Sequence, residues 1–341
     1  AFQGNDVVVG TYGRGIYVLD GGAVLRQMNE TVADAPVHLF TPDRAVRMRR
    51  NVNADTPLPP EVPHAVNPPS GAIIWYYLAA KPAGEITMDV LDSTGTVIRH
   101  LSSVAAAPVA EAARPPHPNF WVAPPYALPA NAGLNRGHWD MRYDAPPAAS
   151  HSFEISANPG ETPASPEGAL APPGTYTVRL TVDGKAYSEK LVVTNDPRSP
   201  ASAADVRAQA TFLAGVQAGI RAAWTGTEQA AAYRAALTAA MPADTASDAA
   251  RAIRAFRARV DSAAGGGGGG RGGFGGRGSG GRAPATFQSV HGRLISLLGN
   301  QENGDHAPTE AAVAAYGAAC RDLTGAAAKW KAIGADLPAL N

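Results

Sequence analysis

Tyr176-Thr-Val-Arg-Leu-Thr-Val-Asp-Gly-Lys-Ala-Tyr-Ser-Glu-Lys-Leu-Val-Val193 is the stretch on which the fold of this 341-residue chain turns. Two β-rich runs flank Asp183-Gly184, a dipeptide suited to a two-residue hairpin turn, in which both central residues take positive φ. In the first run Tyr176, Val178, Leu180 and Val182 alternate with polar residues, which gives a strand one buried and one wet face. Runs of similar type extend upstream, so that seven strands are predicted at 71–79, 85–92, 96–103, 135–143, 151–156, 174–182 and 186–194. Asp92-Ser-Thr-Gly95 and Pro172-Pro-Gly174 supply further turn signals. Seven short strands with this patterning predict an Ig-like antiparallel β-sandwich over 70–196. The Cys…Trp…Cys signature of antibody domains is absent, because the chain has one cysteine.

The sandwich carries two long proline-rich excursions, 104–131 and 157–173. Loops of that length are functional or partner-bound, since alone they bury little. Phe120, Trp121 and Tyr126 in the first are therefore the candidate partner-binding residues, exposed aromatics being common interface anchors.

Downstream of Asn195-Asp-Pro-Arg-Ser-Pro200 the composition turns alanine-rich and the periodicity helical. Ser202-Ala-Ala-Asp205 resembles a capping box ahead of a helix whose face carries Val206, Ala210, Leu213, Ile220 and Trp224, interrupted by Gln217. Further helices are predicted at 227–241, 246–263, 284–299 and 309–334. In the last, Val313, Tyr316, Cys320, Leu323, Ala327 and Trp330 follow the spacing of a bundle seam, which puts Cys320 on a buried stripe as a packed side chain. A helical bundle over 197–341 is expected. Between helices, 13 of the 17 residues 265–281 are glycine, the composition of a loop that cannot bury enough to offset ordering entropy.

Upstream, Asp6–Thr11 and Gly15–Asp20 read as a hairpin turned by Tyr12-Gly-Arg14, and a lone hairpin is marginal in water. Hairpin and connector occupy 1–50, the connector carrying a basic cluster at Arg44, Arg47, Arg49 and Arg50, and 51–69 is a proline-rich linker. The chain opens on Ala1-Phe2-Gln3 rather than Met, the trace that a removed signal peptide or a fragment would leave.

Composition narrows the functional classes. Lys+Arg and Asp+Glu are 29 each, so no global field favours nucleic acid or an anionic membrane surface. The longest apolar run, Gly71–Ala80, is half the length of a membrane helix, so no direct membrane span is expected. Arg271-Gly-Gly-Phe-Gly-Gly-Arg277 resembles RGG-type segments, but Arg271, Arg277 and Arg282 with no basic domain beside them do not make a nucleic-acid partner.

The residues of catalysis are scattered. The eight histidines show no i,i+4 pair on a helix, and H-E-x-x-H, G-x-S-x-G and P-loop patterns are missing. Asp140, Asp144 and Glu154 are the carboxylates to consider for glycosidase-type chemistry, and their strand context favours a surface role. His138-Trp-Asp140 has no Ser or Cys nucleophile motif to complete it, and Asp92 in its turn is at most a weak Ca²⁺ ligand. No catalytic, cofactor or metal residue is nominated.

One resemblance goes further than the pattern. Asn5-Asp-Val-Val-Val-Gly-Thr-Tyr-Gly-Arg-Gly-Ile-Tyr-Val-Leu-Asp20 resembles the closing blade of sortilin-like, BNR-repeat β-propellers, exported bacterial proteins loosely labelled glycosyl hydrolases or photosystem stability/assembly factors. Val37-His-Leu-Phe-Thr-Pro42, Asn67-Pro-Pro-Ser-Gly-Ala72, Ala132–Tyr143 and Leu170–Leu180 are similar, in the same order, to that family's C-terminal tail. The last two also resemble the Ig-like domain of flagellar hook-capping proteins. The propeller body is missing, so no active-site residue carries over. The resemblance implies a periplasmic or extracellular, non-enzymatic interaction or scaffold subunit, docked on protein subunits of a larger envelope assembly. Its most specific form is an accessory subunit peripheral to a photosynthetic membrane complex. The alternative is the carbohydrate-binding tail of a propeller-type glycan-processing enzyme, with Trp75 or Trp121 stacking on sugars.

Overall fold

The computed structural model describes residues 2–3, 5–19, 21–49, 56–63, 69–265 and 285–335. The chain is β-rich in its first part and helical in its second, and it divides into two compact units, Ala1–Asp144 with Ser150–Pro200 and Ala145–Ala149 with Ala201–Asn341. Most of the linker 51–69 and of the glycine-rich loop 265–281 lies outside the described residues.

The first unit begins with a three-stranded antiparallel ribbon, β1 (Phe2–Gln3), β2 (Asp6–Gly10) and β3 (Ile16–Leu19), ordered β1-β2-β3. Two short helices follow, α1 (Gly22–Gln27) and α2 (Glu30–Ala33), the second capped by the Asn29 side chain, which accepts from the Val32 N–H. Val24, Val32 and Phe40 are buried there against the half-buried Trp75 and Tyr77.

The rest of the unit is built, among the described residues, on two larger sheets. β4 (Val37–Leu39), β6 (Ala72–Leu78) and β9 (Gly133–Trp139) form one, in the order β4-β6-β9. The other is ordered β5-β13-β12-β7-β8, from β5 (Ala45–Arg47), β7 (Thr87–Leu91), β8 (Val97–Ser102), β12 (Gly174–Val182) and β13 (Lys185–Asn195). Alternate residues of both enter a single core, including Ile74, Tyr76 and Leu78 from β6 and Val178, Leu180 and Val182 from β12. Trp139 of β9 and Tyr176 of β12 meet edge-to-face there, ring centroids 5.1 Å apart, and the indole N–H donates to the Arg142 carbonyl. At the β12–β13 turn Asp183 and Gly184 have φ of 47° and 77°, the positive values that a two-residue hairpin of this hand requires.

Three details correct the sequence reading. Val37–Leu39 and Ala45–Arg47, placed in the connector, are edge strands of the two sheets. The second runs parallel to β13, so the larger sheet is not wholly antiparallel. A parallel partner needs a long crossover, and nearly 150 residues of chain separate the bonded Thr194 hydroxyl and Ala45 carbonyl. The strand expected over 151–156 shrinks to β10 (Ser152–Phe153), paired with β11 (Ala164–Ser165) in a separate ribbon. Pro159, Pro163 and Pro166 in this region deny a longer ladder its donors.

Among its described residues the second unit has four helices, α3 (Ala203–Ala239), α4 (Asp248–Ala264), α5 (Phe287–Gln301) and α6 (Glu310–Ala335). The capping box at Ser202 and Asp205 opens α3, and Thr286 with Ser289 forms another ahead of α5. The break anticipated between Trp224 and Thr227 does not exist, because α3 is one helix of 37 residues. Gly226 is buried in it, and a Cβ there would stand 2.5 Å from the Phe287 ring of α5. The glycine admits a neighbour instead of ending a helix. The seam of α6 also moves. Ala312, Ala319, Ala326 and Ile333 are the buried residues, whereas Val313 is exposed and Cys320 only half-buried. Alanine at heptad spacing lets helices approach closely, and its weak hydrophobicity hid the seam from a pattern search.

Candidate interaction surface

The ribbon β1–β3 carries its exposed apolar surface on β3 and the turn that precedes it. Every residue of β3 is exposed, Ile16 at 75% and Val18 at 60%, and Tyr12 in the turn is fully so. Successive strand residues point to opposite faces, so four consecutive exposed residues mean that both faces at β3 are uncovered. No strand pairs with the outer edge of β3 among the described residues. Val9, Leu25 and Met28 extend the exposed apolar surface beyond it. The turn is held by Thr11, whose N–H and hydroxyl both donate to the Gly15 carbonyl at 3.1 and 2.8 Å, with Gly13 and Gly15 at φ near 80°. Asn5 fixes the base, bonded to Asp43 and Arg26. This is a formed ribbon that presents hydrocarbon and unpaired backbone, a combination that marks an interaction site or an aggregation hazard.

The aromatics nominated from sequence separate. Phe120 remains 44% exposed. Trp121 beside it is half-buried, stacked on His117 at 5.7 Å and edged by Phe120 at 6.1 Å, while His117 Nε2 donates to the Phe153 carbonyl. Tyr126 is half-buried. It packs on the sheet core, its hydroxyl accepts the His138 N–H at 3.0 Å, and burial raises its pKa. The stacking surfaces of the carbohydrate reading are also taken, Trp75 by the hydrophobic cluster under α1 and α2 and by Arg136 over its ring, Trp121 by His117.

The carboxylates are structural in their geometry. Asp140 accepts from Arg99 at 3.1 Å and from the Arg142 N–H, and Asp144 lies 3.7 Å from the same guanidinium and accepts the His100 N–H. Glu154 is exposed and apart from them. The alternation of β9 turns Trp139 inward and leaves His138 and Asp140 half-buried. Burial lowers the His138 pKa more than the nearby Asp140 raises it, and the ring faces Tyr126 at 4.2 Å. Asp92 spends Oδ1 on the Thr94 and Thr96 amides and the Thr94 hydroxyl, an internal turn bond. Among the described residues no group of three or more His, Cys, Asp and Glu side chains is placed to hold a metal ion.

Two arrangements escaped the sequence. On the outer face of the larger sheet Asp89 bridges Arg179 at 2.8 Å and His100 at 2.7 Å across three strands. Desolvation would raise the Asp89 pKa, but these two hydrogen bonds and the charges behind them hold it below the usual range. In the helical unit His291 is buried beside Trp224. The turn Asp92-Ser-Thr-Gly95, which joins β7 to β8, hinted at the Asp89–His100 half of the first; nothing marked the second. No helix among the described residues is long and apolar enough to cross a membrane. Comparison with protein-family models, with curated proteins and with solved structures gave no match for this chain.

Proposed function

We propose that this chain is a non-enzymatic, exported interaction subunit that docks on a larger envelope protein assembly through the ribbon β1–β3. Its two sheets then form an Ig-like sandwich and its four helices a bundle, with the ribbon acting as a propeller-type closing hairpin. The observation that carries the reading is the uninterrupted exposure of Ile16, Tyr17, Val18 and Leu19 on an unpaired edge. A strand contributed by a partner would satisfy the free backbone groups, and apolar partner surface would cover both faces. Asp89, Asp92, Asp140, Asp144, His100, His117, His138 and His291 are engaged in ion pairs, turns and packing, which supports a binding role over catalysis. The sequence resemblance makes an accessory subunit of a photosynthetic membrane complex the specific form of the proposal.

The test is mild detergent solubilisation of native membranes, size separation, and mass spectrometry of the fractions that hold this chain. Comigration with a large assembly is expected for the natural chain, and its loss for Ile16→Lys/Val18→Lys. Both positions are exposed, so the double variant should melt within about 0.5 kcal/mol of the natural chain. A monodisperse monomer in membrane-free extract, with nothing co-purifying, overturns the reading.

A further inference from the structure

The hydrogen bonds of the ribbon fix which backbone groups of β3 are free. Residue pairs along an antiparallel ladder alternate between exchanging backbone bonds and not exchanging them. The Thr11 N–H donates to the Gly15 carbonyl, so this pair is a bonded one. β2 and β3 continue from it in the register Gly10↔Ile16, Val9↔Tyr17, Val8↔Val18 and Val7↔Leu19. By alternation Tyr17 and Leu19 spend their N–H and C=O groups on β2, while those of Ile16 and Val18 point outward at the bare edge.

A second copy of the same strand meets that demand in one antiparallel register. With Ile16 opposite Val18 of the second copy, each such pair exchanges both its bonds, and no outward group of either strand is left over. Any other antiparallel register leaves Ile16 or Val18 without an outward-pointing strand residue opposite it. The two-fold axis then passes at Tyr17, which faces its own counterpart in an unbonded pair. The side chains suit this register. Ile16 meets Val18 on one face and Tyr17 meets Tyr17 on the other, aliphatic and aromatic cross-strand pairs of the kind that stabilise sheets. The strand has no charge to oppose to itself, whereas the edges β8 and β9 carry Arg99, His100 and Arg136. In the sequence Arg14 precedes the strand and Asp20 follows it, so the same register turns unlike charges toward each other at both ends.

We propose that β3 pairs with β3 of a second copy about Tyr17, joining the two ribbons into one sheet in a closed, two-fold pair. The inference rests on the reading of β3 as the docking edge and names what completes its backbone; the apolar faces of the joined sheet are then what the larger assembly covers.

Purified natural chain is followed by sedimentation velocity over a concentration series, since so short a contact belongs to the transient class. It should pass from monomer to a species of twice its mass and grow no further, and Ile16→Lys/Val18→Lys should stay monomeric throughout. Cysteine trapping reads the register. In a Cys320→Ala background, Tyr17→Cys sets two thiols in an unbonded pair with Cα atoms about 4.5 Å apart, within disulfide reach, so a mild oxidant should link two copies. Leu19→Cys, on the same face, stands about 13 Å along the strand from its counterpart and should not link. A natural chain that stays monomeric, growth beyond the pair, a pair that survives the two lysines, or linkage at Leu19 as strong as at Tyr17 overturns the proposal. A monomer that still comigrates with the assembly refutes the pairing alone, and a pair that never comigrates refutes the docking alone.

Discussion

Replacing Gly226 by alanine tests whether α3 is held against α5 by close approach. In an exposed helix interior the change is favourable by about 1 kcal/mol, because alanine restricts the unfolded backbone and propagates the helix better. At position 226 a Cβ would meet the Phe287 ring at 2.5, 2.6 and 2.6 Å, distances that packed carbon atoms do not adopt. The ring has little room to retreat, because Phe287 is buried among Val260, Ala263 and Ile333 with Trp330 edging it at 6.2 Å. Overpacking of this kind costs about 1–3 kcal/mol, and a clash with three ring atoms belongs at the upper end. The net expectation for Gly226→Ala is a loss of about 2 kcal/mol.

Gly292→Ala on the exposed side of α5 is the control, since nothing lies within 4 Å of its added Cβ. It should gain the propensity term of about 1 kcal/mol, so the two substitutions differ in sign and by about 3 kcal/mol. Urea unfolding followed by far-UV circular dichroism measures both. Phe287→Ala makes the argument sharper. Once the ring is gone, Gly226→Ala should change sign and stabilise the Phe287→Ala background, a coupling that only contacting residues produce. If Gly226→Ala stabilises the natural chain as Gly292→Ala does, the α3–α5 contact at Phe287 is not the one described.

Three further outcomes are expected. Tyr126→Phe should lower stability by about 1–2 kcal/mol, since the His138 N–H loses its acceptor, while leaving comigration with the larger assembly unchanged; loss of comigration at full stability would restore Tyr126 as a partner contact. Asp89 stabilises the fold above pH about 4 and loses that contribution as pH falls through its lowered folded pKa, so Asp89→Asn should show a shallower loss of stability on acidification than the natural chain in melts at pH 7 and pH 3. Gly184→Ala should cost about 1 kcal/mol by thermal denaturation, purely from its φ of 77°, because the added Cβ meets nothing within 4 Å.

How far the sequence can be read depends on the range of the interaction that decides each element. β12 and β13 were legible because alternation and a two-residue turn are local. α3 was legible except at Gly226, where the reason for glycine lies in Phe287, more than sixty residues downstream. The α6 seam was shifted because Ala312, Ala319 and Ala326 bury little surface each. β4 and β5 are three residues long, too short to show a period, and are strands only because β6 and β13 pair with them. The packing of Tyr126 was hidden for a related cause. A tyrosine in a proline-rich excursion looks exposed until β9 is found beneath it. The unfinished hairpin was legible as a lone element, but not the exposure of both its faces at β3.

The other sheet edges of this chain supply an internal standard for judging β3. Natural edges are blunted by charge, bulges, brevity or a covering loop. β8 has Arg99 and His100, a register shift against β7, and loop cover, with Leu128 and Asp144 donating their N–H groups to the Ser102 and Ile98 carbonyls. β9 carries Arg136, and the Tyr126 hydroxyl takes the His138 N–H. β4 and β5 extend for three residues each, and β5 includes Arg47, whose guanidinium is bonded to Ala171 and Asn195. Ile16-Tyr-Val-Leu19, at four residues also a short strand, has no other of these devices: no charge, no proline, no bulge, and no covering loop among the described residues. A chain that protects the four edges of its two large sheets and leaves β3 bare, with Ile16 and Val18 exposed on that edge, supports the proposal that a partner completes β3. That contrast, drawn within a single molecule, is a stronger argument for a protein partner at β3 than the size of the apolar patch alone.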